Sequence, residues 1–133
     1  MLIMPLRGKY YSKEFMEKQR ENHEAKFKEK DRTPPKIGGG GYPDCGNGPY
    51  SDALAYDEWF KFNCRQRAVA NHLEYLTPAV VFTLIGGLEH EWVSIAGGMV
   101  FFVGRLMYAI GYAMRPGARA PGFMISLLGL VLV

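Results

Sequence analysis

The chain has 133 residues and a formal net charge of +3, and its length allows one domain of ordinary size. Residues 1–36 hold ten Lys/Arg against six Asp/Glu, a net charge of +4, but no aromatic residues interleave regularly with them, so we expect no nucleic-acid partner. The two cysteines form no CxxC pair and, with the three histidines, have no metal-ligand spacing, so the sequence predicts no metal site.

The first fifty residues predict a polar arm. Ser12 can cap a helix that runs to about Asp31, in a stretch rich in Glu and Lys whose few apolar residues make no continuous stripe. The Pro- and Gly-rich segment 33–49 predicts no regular structure. We therefore expect residues 1–49 to be an extended arm without a core of its own, held by other chains.

Residues 50–133 predict membrane helices. The first helix runs from about residue 57 to 88 and includes Pro78, which membrane helices tolerate. The second, residues 92–114, has Arg105 as its one ionisable side chain, and about 20 apolar residues suffice to cross a bilayer. A shorter apolar helix follows the turn at residues 115–119. The sequence thus predicts an all-α membrane protein, a bundle of two full transmembrane helices and a short third helix that follows the polar arm.

Arginines predict the orientation of these helices. Arg65 and Arg67 precede the first full span, Arg115 and Arg119 follow the second, and the loop between the spans is acidic. By the positive-inside rule, the arm lies on the cytoplasmic or matrix side of the membrane, and the acidic loop lies on the opposite side.

Polar side chains share one face on each of the two long helices. They are Arg67, Asn71 and Glu74 on the first helix, and Arg105, Tyr108 and Tyr112 on the second. An arginine inside a membrane costs at least ~3 kcal/mol unless it is paired or reaches water. Spacing leaves two interpretations, an Arg105–Glu74 ion pair that locks the helices and an anion-binding cleft that Arg119 can also reach. Glycines every seven residues, at 97, 104 and 111, would let another helix approach closely.

Three motifs carry a family resemblance. "FNCRQRAVANHLEYLTP", then "GGLEH", then "GRLMYAIGYAMRPGAR" resemble the MAPEG family, membrane-associated proteins in eicosanoid and glutathione metabolism, and especially its microsomal glutathione transferase branch. The resemblance covers about residues 41–132. It implies a four-helix membrane fold, a homotrimer, and glutathione bound between subunits.

The resemblance also implies a set of site residues. Glutathione contacts would be made by Arg67, Asn71, Glu74, Tyr75, Arg105, Tyr108 and Tyr112. Arg119 matches the arginine that stabilises the glutathione thiolate in transferase members, and it would be the catalytic residue of an active enzyme. Lipophilic electrophiles or hydroperoxides would reach the site through the bilayer.

Two features depart from the family pattern. Val69 stands where the family usually has a polar His or Gln, so one ligand contact is missing. The charged segment 12–31 stands where the first transmembrane helix of the family should lie, and nothing before Asp57 has the composition to span a bilayer. Without that helix, the expected site loses a wall and the homotrimer loses a contact.

Two functions remain open. In the first, the protein is a non-catalytic accessory subunit of a large membrane complex, with a mitochondrial respiratory complex in the inner membrane as the setting. Membrane lipids and other subunits would then be its partners, the subunits through residues 1–50 and through the face left by the missing helix. A lipid-binding protein with a fatty tail in the cleft is a variant of this hypothesis. In the second, the protein is a glutathione-dependent transferase or peroxidase, with the endoplasmic reticulum as the alternative location.

Overall fold

A computed structural model gives the structure of the protein and describes residues 3–133. These residues form α-helices, joined in two places by 3₁₀ turns at Gly39–Gly41 and Pro116–Arg119. The helices are α1 (Met4–Tyr10), α2 (Lys13–Lys28), α3 (Pro49–Asp52), α4 (Tyr56–Glu89), α5 (Glu91–Met114) and α6 (Ala120–Leu132). The chain divides into two compact units, an N-terminal unit that ends at Asn63 and a membrane unit that begins at Cys64.

The predicted cap of α2 is present. The Ser12 side chain accepts a hydrogen bond of 3.2 Å from the backbone N–H of Phe15, which satisfies one of the free donors at the helix start. On the exposed face, Arg20 lies 3.2 Å from Glu17 and 3.4 Å from Glu24. The helix ends at Lys28, three residues before the predicted limit. The segment 33–49 is irregular as predicted, except for the 3₁₀ turn at Gly39–Gly41 and Pro49, the first residue of α3.

The N-terminal unit has a small aromatic core. Tyr10, Tyr11, Met16 and Phe62 are buried together, and Tyr11 meets Phe62 edge-on at 5.3 Å between ring centroids. The expectation of an arm without a core is therefore wrong. It considered the apolar residues of α2 alone, whereas the core also takes residues from α1 and from the second turn of α4. For the same reason the unit reaches Asn63, beyond the predicted limit at residue 49.

A buried arginine holds the loop of this unit. Arg7 is 3% exposed and donates hydrogen bonds to the carbonyl oxygens of Gly40, at 2.9 Å, and Asp44, at 2.5 Å. Its guanidinium carbon lies 4.0 Å from the centroid of the Tyr42 ring. The two hydrogen bonds join α1 to a loop more than thirty residues away in the chain.

A buried carboxylate organises the start of α3. Asp44 accepts hydrogen bonds from the backbone N–H groups of Gly46, Gly48 and Ser51 and from the Ser51 hydroxyl, at 2.7 to 3.1 Å. Burial acts to raise the pKa of Asp44, but these hydrogen bonds outweigh burial and hold the pKa below its ordinary value. The carboxylate is therefore ionised in the folded unit.

The two long helices of the membrane unit confirm the sequence prediction. Both α4 and α5 are long and apolar enough to cross a membrane, with Pro78 inside α4. In the most apolar 18-residue stretch of each helix, 11% of the stretch is buried in α4, against 33% in α5. α6 has 13 residues and is the predicted short third helix.

Glycines on both helices bring α5 and α6 close together. They are Gly97, Gly104 and Gly111 on α5, and Gly122 and Gly129 on α6. A Cβ added at Gly104 would collide with the backbone of Ser126, and one added at Gly122 would collide with the backbone of Tyr108. The helix that the glycine stripe was predicted to admit is therefore α6 of the same chain.

Candidate anion-binding site

The polar faces of α4 and α5 meet at Arg105. This side chain is 2% exposed, and its Nη2 donates a hydrogen bond of 3.0 Å to Oδ1 of Asn71. The Asn71 amide in turn donates from Nδ2 to Oε2 of Glu74, at 3.1 Å. A direct Arg105–Glu74 ion pair is thus not formed, because the shorter Asn71 side chain takes the position between the two charges.

Two nitrogens of Arg105 are left without an acceptor. Nε and Nη1 are buried and have no hydrogen-bond partner among residues 3–133. The guanidinium carbon lies 5.2 Å from the ring centroid of Tyr75 and 4.6 Å from that of Tyr108, and these rings offset part of the cost of burying the charge. A guanidinium with two free donors is suited to the oxygens of a carboxylate or a phosphate.

Aromatic contacts extend the site toward Arg119. Tyr108 and Tyr112 lie 5.6 Å apart between ring centroids, and the guanidinium carbon of Arg119 lies 4.9 Å from the Tyr112 ring. Arg119 also donates a hydrogen bond of 3.1 Å to the carbonyl oxygen of Pro116, within the 3₁₀ turn. The two arginines therefore stand at opposite ends of a tyrosine pair.

The remaining predicted residues are less tightly held. Arg67 and Glu74 are exposed on α4, and the side chain of Arg67 makes no hydrogen bond or ion pair within the described part of the chain. Val69 is half-buried. Arg67, Arg105 and Arg119 against Glu74 leave this part of the membrane unit with an excess of positive charge, which favours an anionic ligand.

Sequence reasoning missed one residue of the site. Phe123 on α6 meets Tyr75 edge-on at 6.0 Å and lies 6.5 Å from Tyr108, so it supports both rings that flank Arg105. It is preceded by Gly122, whose lack of a side chain brings α6 against the backbone of Tyr108. The seven-residue spacing of Gly122 and Gly129 was the feature of the sequence that could have placed α6, and with it Phe123, against α5.

The chain was compared with known families and structures. A model of the MAPEG family matches residues 19–133, a range that contains every residue of the site described above. No solved structure matches the chain.

Proposed function

The chain belongs to the MAPEG family, and from this premise we propose that it is a non-catalytic accessory subunit of a large membrane assembly. The N-terminal unit carries the proposal. Where the family resemblance implied a first membrane helix, α2 is a charged and largely exposed helix that packs on an aromatic core. A polar unit of this kind is suited to contacts with other subunits outside the bilayer.

The poor cover of α4 supports the same proposal. α6 packs against α5, whereas only 11% of the most apolar 18-residue stretch of α4 is buried. Leu73, Leu76 and Val80 lie three and four residues apart on one face of α4, and each is more than 40% exposed. Such a face can pack against membrane helices of neighbouring subunits.

The proposed setting is a respiratory complex of the mitochondrial inner membrane. The basic N-terminal segment would then face the matrix, in agreement with the positive-inside rule, and the acidic loop at residues 89–91 would face the intermembrane space. A cytoplasm-facing unit in the endoplasmic reticulum obeys the same rule and is the alternative that cell fractionation distinguishes.

Native particle size tests the subunit proposal. The protein, tagged and released from its membrane with a mild detergent, should migrate in a particle far larger than a trimer of this chain. Leu76→Trp on α4 should lower the fraction of the protein in that particle. Met124→Trp, at a side chain of α6 that is 61% exposed, is the matched control and should leave this fraction unchanged. Migration as a monomer or trimer would contradict the proposal.

The Arg105 site favours a second candidate function, a glutathione-dependent transferase or peroxidase. The free Nε and Nη1 of Arg105 fit a carboxylate of the tripeptide, and Arg119 would favour the ionised thiol that acts as nucleophile. Calorimetric titration with glutathione tests this candidate. Saturable binding to a small homo-oligomer, lost in Arg105→Leu, together with turnover of an electrophile that is lost in Arg119→Ala, would favour the enzyme over the subunit.

A further inference from the structure

The groups around Arg105 that have unused hydrogen-bonding capacity carry both signs of charge. Arg105 has two nitrogens without acceptors, and the exposed Glu74 uses one carboxylate oxygen on Asn71. Because the Asn71 amide bridges these groups through hydrogen bonds of 3.0 Å and 3.1 Å, the cation and the anion lie no more than roughly 8 Å apart. A ligand with negative charge alone would leave Glu74 without a cationic partner, whereas a zwitterion can pair with both groups.

An apolar strip continues from Glu74 along α4. Val81, Ile85 and Leu88 follow Glu74 by seven, eleven and fourteen residues, separations that return to one face of a helix. Their exposed fractions are 42%, 59% and 85%. At 1.5 Å per residue, Leu88 lies about 21 Å along the helix from Glu74, and the apolar strip from Val81 to Leu88 covers about 10 Å of that distance, most of one leaflet of a ~30 Å hydrocarbon core.

Along α4 the charged groups come before the apolar strip, as the headgroup of a phospholipid comes before its acyl chains. Arg67 and Asn71 come first, the Glu74 carboxylate reaches back to the level of Asn71, and the apolar strip follows. A soluble tripeptide could pair with the charged groups but has nothing to lay along the strip. A lipid uses both parts.

One half-buried ring of α4, that of Tyr75, lies beside the guanidinium of Arg105. The Tyr75 ring covers the guanidinium of Arg105 and rests edge-on against Phe123, with no hydrogen bond from its hydroxyl among residues 3–133. Rotation of this ring would break ring contacts only, and it is the movement by which a ligand could reach Nε and Nη1.

We propose that this site binds a zwitterionic phospholipid with a primary ammonium, as in phosphatidylethanolamine. The phosphate accepts hydrogen bonds from Arg105 once Tyr75 turns aside, the ammonium donates to Glu74, and one acyl chain lies along Val81, Ile85 and Leu88. The inference rests on the proposed function, because a subunit that does no glutathione chemistry can hold a lipid permanently at this position.

Native mass spectrometry of the purified full-length protein tests the inference. The protein is titrated with phosphatidylethanolamine, with phosphatidylglycerol of the same acyl chains, and with glutathione. The wild type should bind phosphatidylethanolamine about tenfold more tightly than phosphatidylglycerol, as one charge-assisted contact predicts. Glu74→Gln should reduce this preference to less than about twofold. Glu89→Gln, an exposed glutamate at the other end of α4, is the matched control and should preserve the preference.

Arg105→Lys separates the phosphate contact from the ammonium contact. Lysine keeps the charge but has no donors at the positions of Nε and Nη1, so affinity for both lipids should fall about tenfold while helix content stays the same. Equal affinity of the wild type for the two lipids, or an unchanged preference in Glu74→Gln, would overturn the inference.

The titration with glutathione shows whether the ligand of this site is a soluble zwitterion or the lipid. Saturable glutathione binding that displaces the phospholipid would assign the site to the tripeptide and overturn the inference. None of these titrations depends on the size of the native particle, so the lipid inference and the subunit proposal can fail separately.

Discussion

The two units each bury one arginine, and the difference between the two arginines separates a structural contact from a candidate binding site. Arg7 is 3% exposed and Arg105 is 2% exposed, and both lie against aromatic rings. Arg7 donates to two backbone carbonyl oxygens of its own unit. Arg105 donates to one amide and keeps two buried nitrogens free. Burial alone therefore does not distinguish the two arginines, and it is the lack of acceptors that makes Arg105 the candidate for ligand binding.

The units also differ in how they pack. The N-terminal unit buries aromatic side chains such as Tyr11 and Phe62, which water drives together. The membrane unit brings helix backbones into contact at positions such as Gly104, because lipid supplies no comparable force between apolar side chains. We therefore expect the N-terminal unit to lose stability when a buried side chain is changed, and the membrane unit to lose stability when a side chain is added between helix backbones.

Gly104→Val should have the largest effect. Its side chain would collide with the backbone of Ser126, so α6 must move away from α5, and we expect a loss of roughly 3 kcal/mol in stability. Thermal unfolding in detergent micelles measures it. Gly98→Ala on the same helix is the control, because its Cβ would lie 3.9 Å from the Thr83 side chain, an ordinary contact. Equal melting temperatures for the two variants would contradict glycine packing.

Asp44→Asn should have the next largest effect. An amide nitrogen placed opposite the N–H of Gly46 or Ser51 replaces an acceptor with a donor, and we expect a cost of about 2 kcal/mol. Chemical denaturation followed by the fluorescence of Trp59, which donates to the carbonyl oxygen of Gly46, reports on this unit. Asp52→Asn, on the exposed side of α3, is the control and should change stability little.

The same carboxylate predicts a pH dependence. The pKa of Asp44 is lower in the folded unit than the ordinary value of 3.8, so the folded unit binds fewer protons than the unfolded chain in this range. Its contribution to stability is present above pH 3.8 and is lost as the pH falls through the folded pKa. Acid titration of Trp59 fluorescence should show this loss in the wild type and less of it in Asp44→Asn. Parallel titration curves would count against the role of Asp44.

Arg20→Ala should have the smallest effect. Arg20 pairs with Glu17 and Glu24 on the surface of α2, but its side chain is 57% exposed, so water screens both pairs. We expect a change below about 0.5 kcal/mol in the same denaturation experiment. A loss as large as that of Asp44→Asn would mean that surface charge, and not the buried network, stabilises the N-terminal unit.

Much of the helical architecture could be predicted from local sequence. The cap at Ser12, the two long apolar helices, and the short apolar segment at the end are all properties of consecutive residues, and each is confirmed within one to three residues. The aromatic core could not be predicted in this way. Phe62 lies on α4, whereas Tyr11 follows the end of α1 some fifty residues earlier, and no periodicity joins them.

The candidate site divides along the same line. The sequence by itself determined that Asn71, Glu74 and Arg105 lie on polar faces of two apolar helices, because helical spacing follows from residue order. Only the tertiary structure decided that Asn71 separates Arg105 from Glu74, and that Phe123 supports the rings beside the guanidinium. The reason is physical: helical period sets which side chains share a face, whereas the glycine-limited approach of α6 and the lengths of individual side chains set which atoms touch.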